Sequence, residues 1–213
     1  ALFTRSDGGF RLARWTRPPA PAVFGTDEAG AALFRDALAE AARQGGMAAA
    51  GLAPVAEDPE LGASFFLFLC QDWAELREVP GLPRLIPDLA RLVDLLRASG
   101  ANQYRIFGFH PPEAGGGIRL AITLIRMDEV LSAAAPGRLA LDMSAQALLL
   151  WSDHAFTDES PTEHAPAGPR LRPFHAGLMA AAYRGPAESR DFASAAALAR
   201  AMADGGLDSS SSK

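Results

Sequence analysis

Lysine is nearly missing from this chain: among 20 basic residues only Lys213 is one, and the rest are arginines. A GxxxxGK phosphate loop, a Schiff-base enzyme and a kinase-type site each need an ε-ammonium inside the fold. All three are excluded unless Lys213 supplies it. Cysteine is as scarce. Cys70 alone cannot form an internal disulfide, a CxxC redox pair or a multi-cysteine zinc site. Within "SFFLFLCQDW" it reads as a small buried thiol, and the expected compartment is a reducing one.

Net positive charge is absent as well. The formal charge is -5 and the sequence pI about 5.4, so no global field draws in nucleic-acid phosphates or anionic lipid, and no nucleic-acid partner is expected. No run approaches the length of a membrane span, and "ALFTRSDGGFRLARW" carries charges where a signal peptide needs an apolar core. The expectation is a cytoplasmic protein with no membrane association. The arginine bias, with abundant alanine, glycine and proline, points to a GC-rich bacterial coding sequence.

Familiar catalytic signatures are missing too: no GxSxG elbow, no GxGxxG fingerprint, no HExxH, no EF-hand loop, and no internal repeat. Ser152, Asp153 and His154 are consecutive, which is not how a triad is built, because neighbouring side chains point in different directions.

What is present describes a globular protein with one main core. The chain has 213 residues, of which 49% are hydrophobic and 21% charged. "FRLARW" (10–15) reads as a short strand before a proline-rich connector, "TRPPAPA". Thr26 is placed to cap a helix over 27–44 that carries Leu33, Phe34, Ala37, Leu38 and Ala41 on one face. "ASFFLFLC" is too uniformly apolar for a half-exposed strand and predicts a central one. Pro87 suits the first turn of a helix over 88–98 with a stripe of Leu89, Leu92, Val93 and Leu96, ended by Gly100.

"YRIFGFH" and "IRLAITLIRM" are β-like and flank "PPEAGGG", where prolines remove ladder donors and glycines permit positive φ. This predicts a hairpin over 104–127. A phosphate-cradling glycine loop would lead into a helix, whereas these glycines lead into a strand. "DEVLSAAAPG" predicts a short helix stopped by Pro136 and Gly137, and "RLALDM" a strand, while "SAQALLLW" fits helix or strand. The tryptophans Trp15, Trp73 and Trp151 read as packing residues.

The expected class is α+β: a mainly antiparallel sheet of about five strands centred on the hairpin, with helices 27–44 and 88–98 on one face and a helical C-terminal extension. By segment, that is a core over 1–151, a long polar loop over 152–173, an extension over 174–206 and a flexible tail over 207–213.

Candidate chemistry concentrates in two places. His110 at the hairpin mouth, with Asp153 and His154 in the acidic loop, forms a candidate general acid/base set, and His154, His164 and Glu163 a candidate ligand set for a divalent metal at 152–164. Arg105, Arg119 and Arg172 are candidate ligand-binding residues, because guanidinium forks take carboxylate or phosphate in bidentate fashion. The leading expectation is a non-catalytic accessory or binding protein that self-associates or meets a protein partner within a larger assembly. The alternative is a small-molecule hydrolase or metal-assisted enzyme using His110, Asp153 and His154. In the enzyme, His110 and the 152–164 loop converge on one concave pocket; in the accessory protein they lie apart.

Overall fold

The computed structural model describes residues 2–55, 62–152, 154–190 and 196–202. In chain order the elements are β1 (Leu12–Ala13), β2 (Pro21–Phe24), α1 (Glu28–Gln44), β3 (Phe65–Cys70), a 3-10 helix over Trp73–Glu78, α2 (Leu82–Leu85) and α3 (Leu89–Ser99). Then come β4 (Gln103–Phe109), β5 (Ile118–Arg126), α4 (Glu129–Ser132), α5 (Pro136–Leu148), β6 (Thr162–Ala165), β7 (Gly168–Leu171), α6 (Pro173–Arg184) and β8 (Glu188–Ser189). Residues 196–202 are helical.

The main sheet has four strands in the order β2-β3-β5-β4. β2 pairs parallel with β3 and β3 parallel with β5, and only β4 runs antiparallel, paired with β5. The expected five-stranded, mainly antiparallel sheet is therefore corrected to a small mixed one, accompanied by two two-stranded ribbons, β1-β8 and β6-β7. The reason lies in the connections. A tight turn such as 110–117 can join only antiparallel strands, whereas α1 is a crossover of the kind that parallel strands require. The uniformly apolar β3 fits this arrangement, since a parallel strand is covered on both faces. β2 begins inside the proline-rich connector, where Pro21 is tolerated as the first residue of an edge strand.

The helices do not share one face. Phe65 and Leu67 of β3 join Phe34, Leu38 and Ala41 of α1 in one apolar cluster, while Phe68 and Cys70 join Leu89, Val93 and Leu96 of α3 in another. Successive side chains of a strand point to opposite sides, so α1 and α3 sandwich the sheet between them. Trp15 and Trp151 are buried in the first cluster and Trp73 in the second, as packing residues. α6 is no appended extension either: Leu178, Met179 and Tyr183 belong to the first cluster together with α1 and α5.

Capping chemistry sets several boundaries. Asp27, one residue after the expected Thr26, caps α1 by accepting from the Gly30 N–H at 2.8 Å. Gly100 ends α3 in the left-handed conformation, as the sequence predicts. Pro136 starts α5 rather than stopping α4, because its fixed φ and missing N–H suit a first helical turn. "RLALDM" is consequently helical, the first half of an α5 whose residues are buried on nearly every side.

Candidate functional site

α5 positions the polar residues that matter most. Asp142 and Gln146 are four apart, which puts them on one face of the helix, turned toward β4. Gln146 is only 4% exposed and works in both directions. Its Oε1 accepts from the Arg105 guanidinium, and its Nε2 donates to Asp142 Oδ2 at 3.5 Å. Asp142 Oδ1 in turn accepts from Ser160 Oγ at 2.7 Å and Thr162 Oγ1 at 3.3 Å. A chain of hydrogen bonds thus runs from β4 through α5 to the segment leading into β6.

This chain borders a cavity of about 460 Å3. β4 contributes Tyr104, Arg105 and Phe107, α5 contributes Asp142 and Gln146, the N-terminal segment contributes Arg5, and residues between 150 and 160 close it with Leu150, Trp151, Ser152, Phe156 and Glu159 among others. Arg5 is braced by donating from Nη1 to the Trp151 carbonyl at 3.1 Å. Trp151 stacks on Phe3 with ring centres 5.4 Å apart, meets Phe156 edge-on at 5.0 Å, and donates from Nε1 to Ala145 O. The indole is therefore a fixed wall. The volume falls within the usual range for small-molecule sites, and the lining mixes charged groups with aromatic ones.

Burial tunes the ionisable groups here. It pushes the Asp142 carboxyl above the usual aspartate range, against the hydroxyls of Ser160 and Thr162 and the guanidinium groups of Arg138 and Arg105, which favour the charged form. Behind Trp151 and Phe156 lies His175, 5% exposed and boxed edge-on by those rings and Phe174. Burial holds its imidazole below the usual histidine range, opposed by Glu159 and Asp142 and reinforced by Arg172. Its Nδ1 meets no hydrogen-bond partner among the described residues.

No family model, curated protein or solved structure matches this chain.

Of the residues proposed from sequence, Arg105 lies in this cavity. Arg172 does not line it but braces its rim, donating from Nε to Ser160 O at 3.0 Å and pairing with Glu159 at 3.0 Å. Arg119 points away: a β-bulge between Gly108 and Phe109 leaves it as the extra residue of β5, exposed, with Nε donating to Phe109 O. His110 and His154 do not line the cavity, so the expected acid/base pair is not assembled there, and Asp153 lies outside the described residues. His110 is half-buried at the hairpin, its N–H donating to Gly117 O, and His154 is exposed.

Nor do the described residues bring the expected metal ligands together. Among the described residues no three His, Cys, Asp or Glu side chains gather as metal ligands; His164 is exposed on β6, and Glu163 is paired with Arg170 at 2.7 Å. Ribbon β6-β7 explains why, since strand alternation sends consecutive side chains to opposite sides. Asp142 and Gln146 are not among the residues singled out by the sequence, and Ser152 is weighed there only as a triad member. The available signal was an i, i+4 polar pair inside an otherwise apolar helix, because buried polar groups are the informative exceptions in a core.

Proposed function

We propose that this chain is a non-catalytic binding protein whose recognition site is the cavity between β4, α5 and residues 150–160. One observation carries the reading: Gln146, almost wholly buried, holds a cationic and an anionic side chain in place at a cavity wall. Burying an amide that links two half-buried charged groups is unfavourable for a fold that needs only packing, so a site that recognises polar groups is the reading they support. An accessory role in a larger assembly is compatible with this, the ligand then being what the assembly senses or holds.

A catalytic reading has one foothold, the buried Asp142 carboxyl facing the cavity, whose raised pKa is of the kind a general acid needs. The enzyme would then work through Asp142, with His110 and His154 off the site.

Native mass spectrometry of the protein purified from its own source tests the proposal. The expected result is a small-molecule adduct on the subunit that is lost in Gln146→Leu. A bare subunit under all gentle conditions would refute the recognition site. Conversion of the bound molecule by wild type and not by Asp142→Asn would refute the non-catalytic part.

A further inference from the structure

The stretch that closes one side of the cavity is pinned at both ends. The Ser152 N–H donates to Leu2 O at 2.7 Å, and Ser160 Oγ donates to Asp142 Oδ1 at 2.7 Å. Between these points His154, Thr157, Asp158 and Glu159 are exposed, and only Ala155 and Phe156 are half-buried. The Thr157 hydroxyl turns back onto His154 O, a bond within the stretch itself. Glu159 pairs with Arg172 at the surface, where an ion pair contributes little. Phe156 is thus the main apolar anchor, set edge-on against Trp151 at 5.0 Å and against His175 at 5.6 Å.

His175 is well placed to make that contact depend on protonation. It is 5% exposed, its Nδ1 has no partner among the described residues, and the rings of Trp151, Phe156 and Phe174 surround it. It is also the third residue of α6, where the positive end of the helix dipole disfavours a cation. A neutral imidazole can leave one nitrogen unused. An imidazolium carries an N–H on each, and here the Nδ1–H would be buried without an acceptor. Aromatic faces attract a cation but do not replace that acceptor. The charged groups that face the ring are Asp142 of α5 and Glu159 of the closing stretch, which favour the proton, and Arg172 at the cap of α6, which opposes it. Asp158, the other carboxylate of the stretch, lines the cavity. α6 cannot carry the ring away, because Leu178, Met179 and Tyr183 are buried in the main cluster, and Trp151 is held by Phe3 and by its bond to Ala145 O. Phe156 is the member of the box that is held least.

We infer that His175 is an acid-sensitive latch on the cavity: neutral, it packs against Phe156 and keeps residues 154–159 closed, and protonated, it releases them between their pinned ends. In the open form the ring is solvated and takes its proton near the ordinary value of about 6.5, whereas in the closed form burial holds it lower. The closed form is therefore favoured in full above about pH 6.5 and loses that advantage as pH falls toward the closed-form value. Access to the cavity then varies with pH in the range where histidine titrates, whatever the cavity binds.

The test is a titration of the whole chain between about pH 8 and about pH 5, followed in two ways. Carbon-13 histidine NMR, with the four histidines assigned through single His→Gln variants, gives the His175 midpoint. Hydrogen exchange by mass spectrometry, corrected for the intrinsic pH dependence of amide exchange, follows peptides covering 154–159, with peptides from α1 and β5 as controls. The His175 midpoint should lie below about 6.5, and exchange of 154–159 should rise over the same range by about tenfold for each pH unit of that difference, while the controls stay level. In His175→Phe, which keeps an aromatic ring in the box but cannot titrate, the rise should vanish. In Asp142→Asn it should persist at slightly lower pH, because a carboxylate that favours the proton is gone; loss of the rise there would assign the switch to Asp142 and overturn the latch. A His175 midpoint at or above about 6.5, a level exchange rate in 154–159 while His175 titrates, or a rise that survives in His175→Phe would each overturn it as well. The first two are read on the unaltered protein, so the test stands even if a variant fails to fold, and none of these results bears on whether the cavity binds a ligand.

Discussion

Replacing Tyr183 by phenylalanine removes a single oxygen from the interior. In the folded chain that hydroxyl donates to the carbonyl of Leu148 at 2.6 Å, with both groups buried. Leu148 is the last residue of α5, and the final carbonyls of a helix have no partner within it, so Tyr183 satisfies one that nothing in the helix can. In Tyr183→Phe the hydrogen bond is lost and a buried acceptor is left unpaired, which together should cost about 1–3 kcal/mol. Urea unfolding should show a lower midpoint with an unchanged slope, because the surface exposed on unfolding is nearly the same. Thermal unfolding should shift down by roughly 2–4 °C for each kcal/mol in a domain of this size.

The same hydroxyl predicts a pH effect. Burial pushes the Tyr183 phenol far above its ordinary value, so its folded pKa exceeds the unfolded one. Its contribution to stability is complete below the unfolded value of about 10 and is lost as pH rises above it. The gap between wild type and Tyr183→Phe should therefore narrow at strongly alkaline pH. An unchanged midpoint at neutral pH would refute the reasoning, since it would mean that the Leu148 carbonyl finds another partner at no cost.

Burial, helped by the nearby Glu75 and Asp72 carboxylates, pushes the Cys70 thiol up to about 12; a disulfide reagent at mildly alkaline pH should leave the native protein unlabelled and react fully in denaturant. Rapid labelling of native protein would contradict this. The stability linked to that thiol is complete below its unfolded pKa of about 8.5 and disappears as pH rises through the folded one. Asp142→Asn should raise the urea midpoint at neutral pH, because the folded pKa is raised and the wild-type carboxylate is disfavoured there, and the advantage should vanish once pH falls below the ordinary aspartate value of about 3.9. A less stable asparagine variant would show that the charge is favourable in the fold. Gly25→Ala should be severe: φ is +82°, and an added Cβ would sit 1.9 Å from the Leu69 carbonyl oxygen. The left-handed strain and the forced shift together predict a loss of about 2–5 kcal/mol, read as a collapse in soluble yield or a large drop in midpoint.

Features that depend on near neighbours along the chain could be read from the residues alone. The stripe of Leu89, Val93 and Leu96, the stop at Gly100, the apolar run of β3 and the "PPEAGGG" turn each specify their element through periodicity or backbone freedom, and each is found. Strand direction and layering could not be read in this way. Whether β3 pairs parallel or antiparallel depends on where α1 carries the chain, and whether α1 and α3 share a face depends on a path through several connections. Ala-rich and Leu-rich runs such as those of α5 satisfy helix and strand patterns equally, until burial on nearly all sides selects the helix. The cavity is the extreme case. Arg5, Arg105, Gln146 and Ser152 come from separate segments, and the contact of Arg5 with Trp151 spans 146 positions. No local pattern marks such residues as neighbours, because only the closing of the chain on itself places a guanidinium, an amide and a carboxylate within one hydrogen-bonded row.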